Sequence, residues 1–396
     1  MDIKHDYKDK LTDFSLSLGG PLYQLYLRLC LLRPPLDLCK RRIVIICLIT
    51  WIPLLVLSML GGVIFNGVKV PFLFDIETHV RFLGSLAMLI AADLVVHNRI
   101  NIVVPQFIEH DIIAPDDRAK FNKTIISAMR LRNSIFIELI LIVLAYICGH
   151  LIWKQFLLLD ITTWYASLID NQVKFTAAGY WYVFISLPLF QFICLRWYFR
   201  LFVWYRFLWQ VSKLPLRLNS LHPDKVGGLS FLTESMFAFA PILLAYTILL
   251  AGIITNRIWH QGASLSQYKL EIFSIIIFLL LVVSVPLTFF IIRLAQAKRI
   301  GLREYSMIAS HYVNNFRLKW IRTEMKDNKV LLGTADIQSL ADLSNSYNMV
   351  DDMRLIPFNG RILIKLTVLI ILPLSPLILT VIPFEEIINR MVNVII

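Results

Sequence analysis

The stretch IVIICLITWIPLLVLSMLGGVIF, Ile43 to Phe65, decides the fold class. It holds no Asp, Glu, Lys, Arg or His over 23 residues. A helix of about 20 apolar residues crosses roughly 30 Å of hydrocarbon, and only a helix satisfies every backbone group there within one segment. The reading is therefore a membrane-crossing helix, not a buried helix of a soluble core.

Working outward, six more segments meet or approach the same standard: Val80 to Val96, Ser134 to Leu157, Ala178 to Tyr198, Met236 to Ile254, Glu271 to Leu294 and Ile362 to Phe384. The expected fold is all-α, a polytopic transmembrane helix bundle of about seven spans. Its expected divisions are an N-terminal segment 1–42, a six-span region 43–294, a helical segment 295–361, and a last span with a C-terminal interfacial helix over 362–396. The composition agrees, with 58% hydrophobic and 17% charged residues, above and below the shares of ordinary soluble domains.

The formal charge of +12 would point to nucleic acid in a soluble protein. Here the basic residues fall in alternate loops: one side of the bundle, span edges included, carries 31 of the 39 Lys and Arg, and the other side 7. By the positive-inside rule the N-terminus is cytoplasmic and the C-terminus outside, and nucleic acid is not the expected partner. The bilayer is, with anionic lipid headgroups at its basic face. The first forty residues lack a cleavable signal pattern, so targeting is assigned to the spans themselves.

Two regions flank the spans. Pro21 to Arg33 reads as a short amphipathic helix in the interface, Pro21 suiting its first turn, although Phe14 to Leu32 is long enough to be an eighth span. The stretch Ala295 to Arg361 has too little core to stand alone and reads as a helical hairpin docked on the spans. In it Thr334 caps a helix with Asp336 in its first turn and an apolar stripe of Ile337, Leu340, Leu343, Tyr347 and Val350. That stripe must meet the Arg303 to Met325 helix, the membrane face or a second subunit.

Ionisable groups inside spans are the first candidates for function, because burying charge in hydrocarbon is costly. Asp93 is the sharpest. It reads either as an ion or proton ligand facing a cavity, or as a buried partner of Arg196, Arg200 or Lys365. Glu138 and Arg196 lie near span ends and can reach headgroups by snorkelling. His150 reads as a helix–helix hydrogen bond. The five cysteines have no close pairs, no metal-ligand spacing is present, and Walker, GxSxG and HExxH patterns are missing, so no cofactor or metal is expected.

The most distinctive loop is Leu221-His222-Pro223-Asp224-Lys225-Val226-Gly227-Gly228-Leu229. Its His-Pro-Asp-Lys resembles the J-domain cochaperone signature, but a J-domain places it between two soluble helices, and here a span follows almost at once. The loop reads either as a rigid turn or as a site in which His222, Asp224 and Lys225 hold a phosphate or lipid headgroup beside the approachable backbone of Gly227 and Gly228.

Together with Gly333-Thr334-Ala335-Asp336-Ile337-Gln338-Ser339-Leu340-Ala341-Asp342-Leu343, this loop resembles an uncharacterised group of bacterial polytopic membrane proteins. The resemblance implies a bacterial protein of the inner membrane and no particular activity. The leading expectation is a non-enzymatic protein that moves or gates an ion or small solute. The alternatives are a membrane-embedded enzyme or lipid-headgroup binder at the cytoplasmic face, and a sensor or scaffold, with a homo-oligomer allowed by the unpaired stripe.

Overall fold

Apolar runs with internal backbone hydrogen bonding give a bundle of long helices, here described from a computed structural model over residues 14–156, 163–169, 172–322 and 335–380. The elements are α1 (Pro21–Arg28), α2 (Cys39–Leu60), α3 (Ile76–Glu109), α4 (Arg118–Arg132) and α5 (Ile135–Phe156). They continue with a two-stranded ribbon of β1 (Ala166–Ile169) and β2 (Gln172–Phe175), then α6 (Ala177–Ser212), α7 (Ser230–Gln261) and α8 (Leu265–Thr288). The chain closes with α9 (Ile291–Phe316), α10 (Ala335–Asp351) and α11 (Gly360–Ile371), the last extended by a 3-10 turn over Leu372–Thr380.

Six of these helices, α2, α3, α6, α7, α8 and the α11 region, are long and apolar enough to cross a membrane. Helix α5 joins them as a 22-residue helix whose described apolar stretch is Ile135–Ile147. The protein is therefore an all-α, multi-pass integral membrane protein. Its outward surface carries large apolar side chains such as Leu60, Phe136, Leu270 and Ile364, each more than 60% exposed. In a bilayer that surface is solvated by lipid chains.

Helix α3 is longer than the span it contains. Its 34 residues reach about 51 Å, so its last turns rise beyond the hydrocarbon. It packs against α2 and α7, α5 packs against α6, and α9 pairs with α10. Small residues set the α3–α7 approach. A Cβ on Gly252 would lie 2.9 Å from Val80 Cβ, and one on Gly84 would lie 3.0 Å from Ile248 Cγ2. Membrane helices lack a hydrophobic drive toward one another, so close backbone approach carries much of their packing energy.

Several boundaries differ from the sequence reading. Helix α8 ends at Thr288, and a turn at Phe289–Phe290 separates it from α9. Pro286, which has no backbone donor, leaves the Val282 carbonyl to accept the Tyr205 hydroxyl. Pro373 and Pro376 tighten the end of the last crossing region into a 3-10 turn. Phe14 to Leu32 is not a crossing helix. Its first seven residues are non-helical, and the eight residues of α1 span only about 12 Å. Thr334, the C-terminal stretch after Thr380 and the side chain of His150 lie outside the described residues.

The α10 stripe is covered by degrees. Val350 is fully buried, Leu340, Leu343 and Tyr347 are half-buried, and Ile337 is 44% exposed. Asp336 holds the α9–α10 pair together, accepting from Lys319 Nζ at 2.5 Å and Trp320 Nε1 at 2.9 Å, while its carbonyl accepts from the Tyr312 hydroxyl at 2.9 Å.

Gly252→Ala should force α3 and α7 apart and lower stability by about 1–3 kcal/mol. Gly360→Ala, in open space at the first turn of α11, should stay within about 0.5 kcal/mol of the parent. Thermal unfolding of both variants in detergent checks the contrast, and equal midpoints would refute the glycine contact as a packing determinant.

Candidate functional site

The ionisable residues of the basic-side helix ends converge on one another. Asp93, on α3, sits between two guanidinium groups: Arg42 Nη2 of α2 at 3.2 Å, and Arg200 Nη1 of α6 in a direct charge-assisted hydrogen bond. All three side chains are less than 10% exposed. Arg42 also donates to the Ile90 carbonyl at 3.3 Å, and its guanidinium lies 5.3 Å from the Tyr26 ring centre. Arg200 stacks 4.7 Å from the Trp197 ring centre.

One turn before Arg200, Arg196 Nε donates to Glu138 Oε1 at 3.3 Å, joining α6 to α5. The second oxygen of Glu138 accepts the Leu22 backbone N–H at 2.9 Å, in the first turn of α1. Arg132, at the end of α4, completes the group. It donates to Asn133 Oδ1 at 3.0 Å and to the carbonyl of Ser15. Among the described residues no carboxylate pairs with it. Burial, and then repulsion from Arg200 and Arg196, pulls Arg132 down to about 10.

A strap formed by Phe14 to Gly20 covers this cluster. Phe14, Ser15, Leu16 and Ser17 are each 1% exposed. Phe14 wedges against Phe207 and Trp204, with ring centres 4.8 and 6.3 Å apart, while Leu16 joins the same buried core. Ser15 Oγ accepts from the backbone N–H groups of Ser17 (3.1 Å) and Leu18 (3.0 Å), so its own proton points at His97 Nδ1, 2.9 Å away. The strap's carbonyls face the arginines: Ser15 O toward Arg132, and Ser17 O toward Arg200 Nη2 at 3.4 Å.

The strap turns away at Gly19 and Gly20, whose φ values of +116° and +91° lie where side chains are strained. A Cβ at position 19 would come within 2.4 Å of Asn133 Oδ1 and 2.6 Å of Arg132 Nη2, so these side chains would have to shift. Beyond the turn, α1 caps a lateral groove of about 890 Å³ between α5 and α6. Its walls are apolar, including Ile142, Ala145, Phe184, Pro188, Leu189 and Phe192. Gln24, Arg28, Asn133 and Glu138 group at the α1 end, and the Tyr146 hydroxyl farther along donates to the Phe184 carbonyl at 3.2 Å.

The His222 loop has a different environment. Asp224 Oδ1 accepts the backbone N–H groups of Val226 (2.8 Å) and Gly228 (3.1 Å), and Oδ2 that of Ser230 (3.0 Å). His222 Nδ1 lies 2.8 Å from Oδ1. Partial burial raises the Asp224 carboxyl, but the three backbone donors and His222 together hold it below the usual carboxylate range. Lys225, at φ +59°, pairs with Asp352 at 2.6 Å. Arg354 reaches back with its backbone N–H to the Lys225 carbonyl (2.7 Å) and its guanidinium to the Asp224 carbonyl (2.9 Å). A Cβ on Gly227 would press Met353, and one on Gly228 would press Ile112. The loop thus clamps the segment leading from α10 to α11.

The structure joins Asp93, Glu138 and Arg196 in one cluster and ties Asp224, Lys225 and Gly227 to the 352–354 segment instead, with His222 bonded within its own loop and Gly228 against Ile112. Of the three partners considered for Asp93, Arg200 is the one engaged, Arg196 belongs to Glu138, and Lys365 is exposed on α11. Sequence reasoning missed Arg42, Arg132, His97 and the two strap serines. The available signal was the position of Arg42 and Arg132 one or two residues from apolar runs, which served only to count charge.

A second polar group at the opposite end of α3 was also missed. Asp75 caps α3 through Thr78 N (3.3 Å) and accepts Trp164 Nε1 (2.8 Å), while Arg81 bridges Glu77 and the Tyr182 hydroxyl. Among the described residues no three His, Cys, Asp or Glu side chains gather closely enough to hold a metal ion. No protein-family model, curated protein or solved structure matches this chain.

Asp93→Ala leaves Arg42 and Arg200 buried without their counter-charge, which is expected to cost about 3–5 kcal/mol. Arg99→Gln breaks the exposed Arg99–Glu234 pair and should cost less than about 1 kcal/mol. Unfolding midpoints in detergent compare them, and equal losses would deny the cluster its structural weight. For the loop, the folded Asp224 carboxyl titrates below its unfolded value. Its stabilisation is therefore complete above about pH 4 and is lost as pH falls through the folded value. Asp224→Asn should lower the midpoint at pH 7, and the gap from the parent should narrow below pH 4.

Proposed function

We propose that this protein binds an anionic lipid amphiphile, its acyl chain in the α5–α6 groove and its head at the polar end beneath α1. The observation that carries the reading is the groove itself. A cleft of about 890 Å³ with apolar walls, on helices whose neighbouring side chains Phe136, Leu139 and Phe184 face lipid, matches a hydrocarbon chain. Arg28 and Asn133 at its polar end offer donors for an acidic head.

The protein sits in a bacterial inner membrane with its basic side, and hence its N-terminus, in the cytoplasm. The asymmetry of 31 basic residues against 7 supports the orientation, and the resemblance of the His222 and Thr334 motifs supports the membrane. Transport through Asp93 has weaker support, because both of its carboxylate oxygens are engaged by guanidinium groups. The His222 loop has weaker support as a headgroup site, since Asp224 and Lys225 are occupied by their own chain.

The test is native mass spectrometry of the purified protein titrated with phosphatidylglycerol and phosphatidylcholine. Phosphatidylglycerol should be retained preferentially, by about tenfold or more. Ile142→Trp, which fills the groove, should abolish retention of both, and Arg28→Gln should remove the preference alone. Retention untouched by Ile142→Trp would sink the groove as the site.

A further inference from the structure

Among the described residues the arginine cluster carries an excess of positive charge. Arg42, Arg132, Arg196 and Arg200 bring four positive charges, and the carboxylates bonded to them among the described residues are two, Asp93 and Glu138. The strap offsets the remainder only with uncharged oxygens, the Ser15 and Ser17 carbonyls. Buried guanidinium groups interact with a phosphate far more strongly than with a peptide carbonyl, because charge and fork geometry both match.

Two further atoms point to a ligand. Arg42 Nε and Ser17 Oγ are buried and have no hydrogen-bond partner among the described residues, although Arg42 is fully buried and Ser17 is 1% exposed. A buried donor left unpaired costs about 1–3 kcal/mol. The strap satisfies the cluster incompletely, in both charge and hydrogen bonds. It is also attached by a turn at Gly19 and Gly20, where the backbone is freest to rearrange.

We propose that the four-arginine cluster is a phosphate-binding site, occupied in this conformation by the strap, whose Ser15 and Ser17 carbonyls stand where phosphate oxygens would bind. A phosphate group carrying two negative charges balances the excess on the arginines. On binding it takes the Arg132 and Arg200 donors from the strap, which swings out about Gly19 and Gly20. Phe14 and Leu16 then leave their pocket beside Trp204 and Phe207. The phosphate is either free in solution or the head of a lipid. The inference does not need the groove: a soluble phosphate reaches the cluster without an acyl chain.

The experiment uses the full chain in detergent, with its five cysteines replaced by alanine or serine and Leu16→Cys added as a reporter. Maleimide labelling at position 16 and the unfolding midpoint are followed against inorganic phosphate, short-chain phosphatidic acid and, as control, chloride at matched ionic strength. Labelling should be slow without phosphate and rise at least tenfold with it, together with a higher midpoint. Response to inorganic phosphate identifies a free ligand, and response to phosphatidic acid alone identifies a lipid head. Arg132→Gln should abolish the rise while Arg132→Lys retains part of it. Should Arg132→Gln fail to fold, Gly19→Ala, which strains the turn, should speed labelling without phosphate. The proposal is overturned if labelling does not respond to either phosphate, or if the midpoint rises while position 16 stays protected. Ile142→Trp should leave the inorganic phosphate response intact, so a failed groove and a failed cluster are told apart.

Discussion

The rest of the bundle depends on the ion pairs that Asp93 makes with Arg42 and Arg200. They tie α2, α3 and α6 together at one depth, where a lone charge would cost several kcal/mol and a neutralised one does not. Ion pairs of this kind add little net stability over apolar packing. Their weight lies in what they forbid: any rotation of α2, α3 or α6 that parts them leaves a charge stranded in a dry core. Helix register and rotation are thereby fixed, and with them the position of Arg196 opposite Glu138.

A second constraint acts outside the hydrocarbon. The polar loop before α7 would be a loose connection but for Asp224, which gathers three backbone N–H groups around one carboxylate. The resulting turn presents the Asp224 and Lys225 carbonyls to Arg354 and the Lys225 ammonium to Asp352. The helical pair α9–α10 is held to the bundle at this point and at Gly301, where a Cβ would strike Ser220. Arg293, which donates to the Ser212 and Lys213 carbonyls, and the buried Leu294 and Met353 complete the attachment of this helical segment.

The crossing helices were legible because hydropathy over 20 residues is additive and needs no knowledge of neighbours. The α10 stripe was legible for a similar reason, its period being local. The choice of Arg200 over Arg196 for Asp93 was not, since one turn of helix separates the two candidates and only packing sets the rotation. Arg42 was counted as a loop charge although it is fully buried. The strap was hardest to see: Phe14 to Leu18 reads as part of an apolar run, and nothing local marks Ser15 as a partner of His97 and the strap's carbonyls as partners of residues over a hundred positions away. Pro21 and the two glycines marked the turn, but not what lay before it.

The separation along the chain of the strap from its partners also orders the protein's birth. Ser17 meets Arg200 across 183 residues. At about 5–20 residues per second, the N-terminus waits roughly 10–40 s after its own synthesis before that partner emerges. Asp93 does not wait. Arg42 precedes it into the membrane, so the α2–α3 hairpin can enter the bilayer with its acid already escorted by a base. The strap completes its contacts only once α4 and α6 have supplied Arg132, Arg200, Trp204 and Phe207.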